Sequence, residues 1–320
     1  MPIKKFRISE LFRSKRLNGK TDKFRKTNMK NPKVIAHRGA CAYRPENTLE
    51  SFELGIAQGA DGIEFDLVTT SDEHLVIRHE NALSETTNIS DKPEFNHIKR
   101  AGVVEEIART DWFSEDLTLA EIKSLRAIER IPEIRPGSAK FDEQFEIPTF
   151  TELLNAPFIS GKILVVEIKQ GTHLESLTKS VGVLVTQAIT ESNASDKGVQ
   201  LIIESFSLDL LLQAKAEMMA AGISAQYFYA IDEAVLDSSW IAELAKDVDG
   251  LSISTHLLFS EASWVETAHA NGLEIWVFTA RAEKAENSID EYYEKFIVSG
   301  VDGIFADQPD LLRRVLADRG

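Results

Sequence analysis

The sequence predicts an α/β fold, a TIM (β/α)8 barrel of parallel strands that carries a small inserted subdomain. Short apolar runs recur along the 320-residue chain, and stretches with helical periodicity separate most of them. Three of the helical stretches end near a glycine that is followed by the next apolar run. A strand–helix alternation sustained over this length favours a parallel sheet that closes as a barrel.

Nine apolar runs are strand candidates, one more than an eight-stranded barrel needs. They are Val34–His37, Gly62–Val68, Leu75–His79, Ile163–Ile168, Leu201–Glu204, Ala225–Tyr229, Gly250–Ser254, Glu274–Thr279 and Gly303–Ala306. The link between the second and third runs is too short for a crossover helix, so we expect the third run to return antiparallel in a hairpin. A turn centred between Asp72 and Glu73 would place Asp66 opposite His79.

The sequence also predicts where three helices begin and shows one long segment without a strand pattern. Asn47–Glu50, Thr118–Glu121 and Thr149–Glu152 have the form of capping boxes, and the first should start a helix that runs towards Gly59. Residues 81–160 contain no strong strand pattern and are too many for a plain loop. We predict a small subdomain over the barrel mouth, where substrate selectivity would lie.

Charge divides the chain into a basic start and an acidic body. Residues 1–33 carry twelve Lys or Arg and two acidic residues, although the whole chain has a net charge of -15. An acidic body argues against a nucleic-acid partner, which needs a basic face. We predict a solvated basic arm over residues 1–32 and a barrel domain over 33–320, with its insertion at about 81–160.

Location and assembly are only weakly indicated. The basic arm lacks the apolar stretch of a signal peptide, and no segment approaches the roughly 20 apolar residues of a membrane span. The single cysteine, Cys41, suits a reducing compartment and is expected to be a small loop residue rather than a nucleophile. We expect a cytoplasmic protein without stable membrane insertion, or a periplasmic or secreted one if the N-terminus is misassigned. The oligomeric state stays open.

Carboxylates within buried strands give the strongest chemical signal. Glu64 and Asp66 share one strand face because side chains alternate, and Glu167 and Lys169 share a face at the end of a later strand. Burial of unpaired carboxylates is costly, and a bound cation commonly resolves it. Three carboxylates suit one hard divalent cation, Ca²⁺ or Mg²⁺. The alternative is a buried salt-bridge network with Lys169 and Arg38.

Two histidines close strands beside these carboxylates. His37 ends the first strand and His79 ends the hairpin, so together they suit proton transfer to and from an oxygen on phosphorus. Arg38 can bind phosphate oxygens with two parallel hydrogen bonds, and Lys169 can add a point charge.

The remaining aromatic and histidine candidates are weaker. Phe206 and Trp276 lie at strand ends, where they would either wall the pocket or pack inside the barrel. The other histidines have less distinctive positions. We expect His74 in the hairpin turn, His97 in the polar start of the insertion, and His173 and His269 at exposed loop and helix positions. His256 follows a strand end, so a role for it stays open.

One set of motifs extends over about residues 33–312. The motifs are His37-Arg38-Gly39, Pro45-Glu46-Asn47-Thr48, Gly59–Asp66, His79, Ile147-Pro148-Thr149, Glu167-Ile168-Lys169, Ser205-Phe206, Gly300–Gly303 and Asp307-Gln308-Pro309. Together they resemble the signature of the glycerophosphodiester phosphodiesterases, and the long insertion is similar to the calcium-dependent branch often found in the periplasm. The chain departs from the usual pattern at Glu80, where the family has Asp, and around Trp276, which the family often places directly before Thr.

This resemblance implies a barrel of the phospholipase C-like phosphodiesterase type. It also implies metal-dependent hydrolysis of glycerophosphodiesters, such as glycerophosphocholine and glycerophosphoethanolamine, to sn-glycerol 3-phosphate and an alcohol. By the same resemblance, Glu64, Asp66 and Glu167 would bind one divalent cation, with Ca²⁺ expected first and Mg²⁺ as the alternative. His37 and His79 would be the acid–base pair, and Arg38 and Lys169 would contact the phosphate. Glu46 and Asn47 would lie in a supporting loop, where Glu46 could approach the metal.

Two other functions stay open at the level of sequence. A lysophospholipase D-like or sphingolipid phosphodiesterase would use the same chemistry on a lipid, with an apolar rim on the insertion. A non-catalytic barrel would bind a phosphodiester without turnover, although such proteins usually lose a ligand or a histidine.

Overall fold

The structure, a computed structural model, describes residues 31–104, 107–174, 177–192 and 194–319. The basic arm predicted over 1–32 therefore lies almost entirely outside the described residues. The strands are β1 Lys33–His37, β2 Gly62–Thr69, β3 Leu75–Ile77, β4 Arg100–Val104, β5 Ile107–Asp111, β6 Ile163–Ile168, β7 Gln200–Ser205, β8 Gln226–Ile231, β9 Gly250–Ser254, β10 Glu274–Ala280 and β11 Gly303–Ala306. The helices are α1 Leu49–Ala57, α2 Leu119–Ser124, α3 Phe150–Asn155, α4 Val181–Glu191, α5 Leu208–Ala220, α6 Ser238–Leu244, α7 Thr255–Ser260, α8 Ser263–Ala270, α9 Ile289–Ser299 and α10 Pro309–Ala317. Within the described ranges, none of these helices has the length and apolar character needed to cross a membrane.

Parallel strands close a barrel in the described part of the chain. Their order around it is β1, β2, β6, β7, β8, β9, β10 and β11, and β11 pairs back onto β1. The predicted TIM-type barrel is therefore confirmed. The register places Asp66 beside Glu167 and Glu167 beside Glu204 on neighbouring strands. Because the carboxyl ends of parallel strands meet at one end of the barrel, these acidic side chains meet at its mouth.

Large aromatic rings fill the barrel below the mouth. Trp276 packs against Phe228 and Phe305, with ring centroids 5.2 and 5.7 Å apart. Two glycines make room for these rings. A Cβ atom on Gly250 would lie 2.5 Å from the Phe228 ring, and one on Gly303 would collide with Trp276. The closely packed interior confines polar chemistry to the mouth.

A second apolar layer lies between the strands and the helices. Phe65 belongs to it and packs between Phe52 and Phe150, with ring centroids 5.9 and 5.7 Å away. Since Phe65 alternates with Glu64 and Asp66 along β2, its outward packing directs both carboxylates to the barrel interior.

The β2–β3 hairpin has a different register from the expected one. Its loop holds residues 71–73, closed by a hydrogen bond from the N–H of Thr70 to the carbonyl of His74, and Glu73 adopts a left-handed φ of 59°. Asp66 consequently lies opposite Arg78, whose N–H donates to the Asp66 carbonyl over 3.1 Å. The expectation that Asp66 faces His79 is wrong, because a loop with an odd number of residues shifts the pairing by one position.

The insertion contains a hairpin that the sequence prediction missed. β4 and β5 pair antiparallel, and most of their side chains are partly or fully exposed. With so few buried apolar positions, the two strands leave no alternating pattern in the sequence. The insertion also buries a small core around Trp112, whose Nε1–H donates to the Phe95 carbonyl over 2.7 Å. Val68 and Val76 of the β2–β3 hairpin extend that core.

Two of the three predicted capping boxes are present. Thr118 and Thr149 each exchange reciprocal hydrogen bonds with the Glu three residues later. At α1 the capping residue is Thr48, one position later than predicted, and its hydroxyl accepts from the N–H of Ser51. The shift moves Glu50 out of the position from which it could complete a box.

Candidate active site

A cavity of about 230 Å³ opens at the barrel mouth. It is formed where strands from both halves of the chain end, so residues distant in sequence line it together. Those predicted from the sequence are His37, Arg38, Glu64, His79, Glu167, Lys169 and Phe206.

Three carboxylates form a cluster that could hold a cation. Oxygen atoms of Glu64, Asp66 and Glu167 lie within 4.8 Å of one another. Asp66 Oδ1 and Glu167 Oε1 are buried and accept no hydrogen bond of normal geometry from the described residues. The Lys169 ammonium lies 3.0 and 2.6 Å from these two oxygens. Buried carboxylate oxygens with lone pairs to spare are suitable ligands for a hard divalent cation, so these residues fit one.

The electrostatics of the cluster favour added positive charge. Burial raises the pKa of Glu64 well above its ordinary range, and the nearby Asp66 carboxylate adds to this shift. Burial also raises the pKa of Glu167, with Lys169 acting in the opposite direction. Burial acts on Asp66 as well, but neighbouring cations led by Lys169 outweigh it and hold the pKa of Asp66 well below its usual range. A bound cation would let all three groups ionise together.

His37 is held by a carboxylate at the end of the barrel's last strand. Its Nδ1 lies 2.6 Å from Asp307 Oδ1, while its Nε2 lies 3.9 Å from Glu64 Oε2. Burial lowers the pKa of His37 to about 4, and the Arg38 guanidinium contributes. The sequence prediction gave Asp307 no role, although it lies in one of the quoted motifs.

His79 has a similar carboxylate partner. Its Nδ1 lies 2.7 Å from Glu80 Oε1. Burial would raise the pKa of Glu80, but the hydrogen bond and charge of His79, together with Arg130, hold it well below its ordinary value. The Glu that replaces the family's usual Asp therefore still supplies a carboxylate. In both pairs the carboxylate on Nδ1 orients the ring.

The loop after β1 positions Arg38. Arg38 has a left-handed φ of 53°, and its N–H donates to Glu64 Oε2 over 3.0 Å. Its Nη1 donates to Glu46 Oε1 over 3.1 Å, and its Nε lies 3.5 Å from Asp66 Oδ2. Asn47 donates from Nδ2 to the same Asp66 oxygen over 2.8 Å. Glu46 therefore supports Arg38 and lies outside the group of three clustered carboxylates.

The two predicted aromatic residues have different locations. Phe206 lines the cavity and meets Phe278 edge to face, with ring centroids 5.6 Å apart. Trp276 is 2% exposed and packs in the barrel interior. A role for Trp276 as a pocket wall is therefore not supported. Phe278, two residues nearer the mouth on the same face of β10, takes that position.

Comparison with known proteins identifies the family. Residues 37–311 match the model of the glycerophosphoryl diester phosphodiesterase family. The chain belongs to this family. It is thus an enzyme, a phosphodiesterase of the class that the family and its curated relatives name.

Individual relatives align with this chain over most of their length. A glycerophosphodiester phosphodiesterase of Caldanaerobacter subterraneus subsp. tengcongensis is 29% identical over 290 residues, which cover 90% of this chain and 98% of the relative. The glycerophosphodiester phosphodiesterase GDPD6 of Arabidopsis thaliana is 27% identical, with 86% of this chain and 83% of the relative covered. An Oleispira antarctica phosphodiesterase, solved in complex with the product sn-glycerol-3-phosphate, shares the fold with a TM-score of 0.65 and 24% identity, covering 90% of this chain and 97% of that one.

The phosphodiesterase has a further buried carboxyl group in its cavity, that of Glu204, which the sequence prediction missed. Glu204 lies near the end of β7 beside Glu167, lines the cavity and accepts a hydrogen bond from the Ser252 hydroxyl. Burial raises the pKa of Glu204 to about 8, and the Glu167 carboxylate adds to the shift. Glu204 could have been predicted from the sequence, because it is an acidic residue near the end of a strand, as Glu167 is.

The other histidines are not among the described residues that line the cavity at the mouth. Four have the exposed positions that suit surface residues: His74, His97, His256 and His269. His173 differs from the expectation, because it is buried, at 2% exposure. Its burial was hidden in the sequence because the loop after β6 folds back over the barrel end, where the His173 carbonyl accepts a hydrogen bond from the Thr69 hydroxyl.

Proposed function

We propose that this phosphodiesterase hydrolyses glycerophosphodiesters, such as glycerophosphocholine and glycerophosphoethanolamine, to sn-glycerol 3-phosphate and an alcohol. The observation that carries the proposal is one cavity where two carboxylate-bound histidines and the cationic side chains of Arg38 and Lys169 meet the cluster of three carboxylates. The names of the curated relatives support the substrate class. The product is the one bound in the Oleispira antarctica phosphodiesterase.

Phosphate binding is assigned to Arg38 and Lys169, two of the cationic side chains that line the cavity. Arg38 Nε and Lys169 Nζ lie 3.5 and 3.0 Å from opposite oxygens of the Asp66 carboxylate, so both reach the same point of the mouth. There they can neutralise charge that develops on the phosphoryl oxygens. Glu64, Asp66 and Glu167 would hold a divalent cation, for which we propose Ca²⁺ first and Mg²⁺ as the alternative. When bound, such an ion supplies Lewis-acid stabilisation of phosphoryl oxygens.

Proton transfer is assigned to His37 and His79. One ring removes the proton from the nucleophile, which is either the neighbouring glycerol hydroxyl or a water molecule, as the new bond to phosphorus forms. The other ring gives a proton to the alkoxide as its bond to phosphorus breaks. When the glycerol hydroxyl is the nucleophile, this exchange leaves a cyclic phosphate, and a water molecule then opens the ring through the same proton transfers to give glycerol 3-phosphate. Asp307 and Glu80 hold the Nδ1 atoms throughout, 2.6 and 2.7 Å away, so that each ring keeps its orientation.

The proposal is tested by release of glycerol 3-phosphate from glycerophosphocholine. Protein treated with EDTA should be inactive and should recover activity when Ca²⁺ or Mg²⁺ is added. Glu64→Gln and His79→Gln should each lower kcat by about 10²-fold or more, because the first removes a ligand and the second an acid–base group. His97→Gln is the matched control, since His97 is exposed.

Each outcome decides one part of the proposal. Full activity after chelation would exclude a metal-dependent reaction. Wild-type turnover by His79→Gln would remove His79 from the mechanism. Turnover of lysophospholipid vesicles without turnover of glycerophosphocholine would instead favour the lipid substrate.

A further inference from the structure

Two arginines of the insertion reach the carboxylates that hold the two histidines. Arg130 donates from Nη1 and Nη2 to Glu80, over 2.9 Å to Oε1 and 2.7 Å to Oε2. Arg135 donates from Nη2 to Asp307 Oδ2. Two relays result, one from Arg130 through Glu80 to His79 and one from Arg135 through Asp307 to His37.

Each arginine fixes the rotation of the carboxylate that it binds. Asp307 uses Oδ1 for the His37 ring and Oδ2 for Arg135, so these two partners hold opposite ends of the carboxylate. Arg281 Nε also lies 3.2 Å from Oδ2. Glu80 is bound by both nitrogens of the Arg130 fork, which a single point charge could not reproduce. A carboxylate that cannot rotate holds the imidazole on its other side in one orientation.

Burial makes the contact between Arg135 and Asp307 strong and directional. Arg135 is 8% exposed and Asp307 is 1% exposed, so their ion pair is shielded from water. Removal of one partner from a buried pair leaves an uncompensated charge that must find a new arrangement. Arg135 is itself held by Glu283 Oε1, which accepts from Nε over 2.7 Å.

Arg130 has an additional link to phosphate binding. Its Nη2 and Nε donate to the Glu46 carboxylate over 2.7 and 3.0 Å. The same carboxylate accepts from Arg38 Nη1 over 3.1 Å. Loss of Arg130 would therefore disturb the positions of both His79 and Arg38. Loss of Arg135 would disturb the position of His37 and leave those of His79 and Arg38 unchanged.

The insertion presents both guanidinium groups from one short stretch. Residues 129–138 form a turn in which the N–H of Arg135 donates to the Ile131 carbonyl over 2.9 Å and the N–H of Ser138 donates to the Arg135 carbonyl over 3.0 Å. Glu129 anchors the start of the turn, because its N–H donates to Asp142 Oδ1 over 2.7 Å. This turn can therefore keep the guanidinium groups of Arg130 and Arg135 at a fixed separation.

We propose that Arg130 and Arg135 are positioning residues that set the orientation of His79 and His37. The insertion then completes the acid–base machinery. This role rests on the proposed function, in which both histidines transfer protons. It assigns the two relays to separate arginines, so the two rings should respond to different substitutions.

Kinetics of matched variants test this role. Arg135→Gln should lower kcat by roughly 10- to 100-fold with little change in KM, because only ring positioning is lost. Arg130→Gln should lower kcat similarly and also raise KM through Arg38. Lysine at either position should restore part of the loss, since it keeps the charge without the fork. The control is Arg126→Gln, because Arg126 lies in the same insertion and contacts Glu146 and nearby carbonyl oxygens.

A spectroscopic measurement separates this inference from the proposed function. ¹⁵N NMR of the histidine rings reports each ring environment without any substrate. Arg135→Gln should shift the ring signals of His37 and leave those of His79, Arg130→Gln should do the reverse, and Arg126→Gln should change neither.

The outcomes are distinct for the two hypotheses. Unshifted ring signals in both arginine variants would overturn the positioning role, whatever the substrate is. Loss of kcat that parallels a fall in unfolding temperature and is not restored by lysine would also overturn it, in favour of a purely structural role. Absence of glycerol 3-phosphate release by the wild type, with the expected ring shifts, would overturn the proposed function alone.

Discussion

The Oδ1 atom of Asp307 lies 2.6 Å from Nδ1 of His37, and both side chains are buried. The two residues directly follow Ala36 and Ala306, which are paired in the β1–β11 register. The hydrogen bond is therefore built into the closure of the barrel. Its effect is to present the opposite ring nitrogen, Nε2, towards the carboxylate cluster.

We expect Asp307→Asn to lower kcat by about 10²-fold or more, with a much smaller effect on KM. Asparagine keeps the size of the side chain, but its amide can donate to Nδ1 and so favour the wrong tautomer of His37. Steady-state kinetics with glycerophosphocholine measure the effect. Asp310→Asn is the control, since Asp310 accepts from the Tyr43 hydroxyl away from the histidine. Equal kcat values for the two variants would contradict the assigned role of Asp307.

Removal of metal should lower thermal stability through the carboxylate cluster. A cation that binds only the folded chain stabilises it by about 2.7 kcal/mol at a concentration 100 times its Kd. We expect EDTA to lower the Tm of the wild type and Ca²⁺ or Mg²⁺ to restore it. Glu167→Gln should lose most of this metal-dependent shift, because one of three clustered ligands is gone.

Calorimetry with and without metal measures this shift for each variant separately. Glu243→Gln is a suitable control, since Glu243 is exposed and pairs with Lys246 on the surface. A metal-dependent shift of wild-type size in Glu167→Gln would show that the ion binds elsewhere.

The carboxylate cluster followed from the sequence because it depends on local geometry. Strand alternation alone places Glu64 and Asp66 on one face and Phe65 on the other. The parallel order of the strands then brings Glu167 alongside, since equivalent strand ends meet at one mouth. The same rule would have found Glu204.

Other features depended on contacts that no local pattern encodes. Arg130 and Arg135 reach partners 84 and 172 positions away in sequence, and neither partner is marked by periodicity. The hairpin register depended on the left-handed conformation of Glu73, a residue type that gives little warning of it. The β4–β5 hairpin was missed because its side chains are mostly exposed.

Substitution of Trp276 and of Phe206 should separate packing from substrate contact. Trp276→Ala should lower the free energy of unfolding by about 3–5 kcal/mol, because it leaves a cavity against Phe228 and Phe305. Phe206→Ala should cost less stability, since Phe206 is only partly buried, and it should raise KM by removing a pocket wall. Urea unfolding and KM measurements give the two values. A larger stability loss for Phe206→Ala would contradict these placements.

His173 should make the fold sensitive to acid. Burial lowers the pKa of His173 from an unfolded value of 6.5 to about 4, and Lys169 contributes. Between these two pH values the unfolded chain binds more protons than the folded one, so stability falls as pH decreases. The favourable contribution is complete above the unfolded pKa and is lost as pH falls towards the folded pKa.

From this shift, His173 should contribute about 2 kcal/mol less stability at pH 5 than at neutral pH. We expect His173→Gln to reduce the pH-dependent loss by about that amount, because glutamine does not titrate. Urea unfolding at the two pH values measures the loss in each protein. His97→Gln, at an exposed position, should keep the wild-type loss. If both variants lose as much stability as the wild type, His173 is accessible to protons in the folded state and its burial does not govern the acid response.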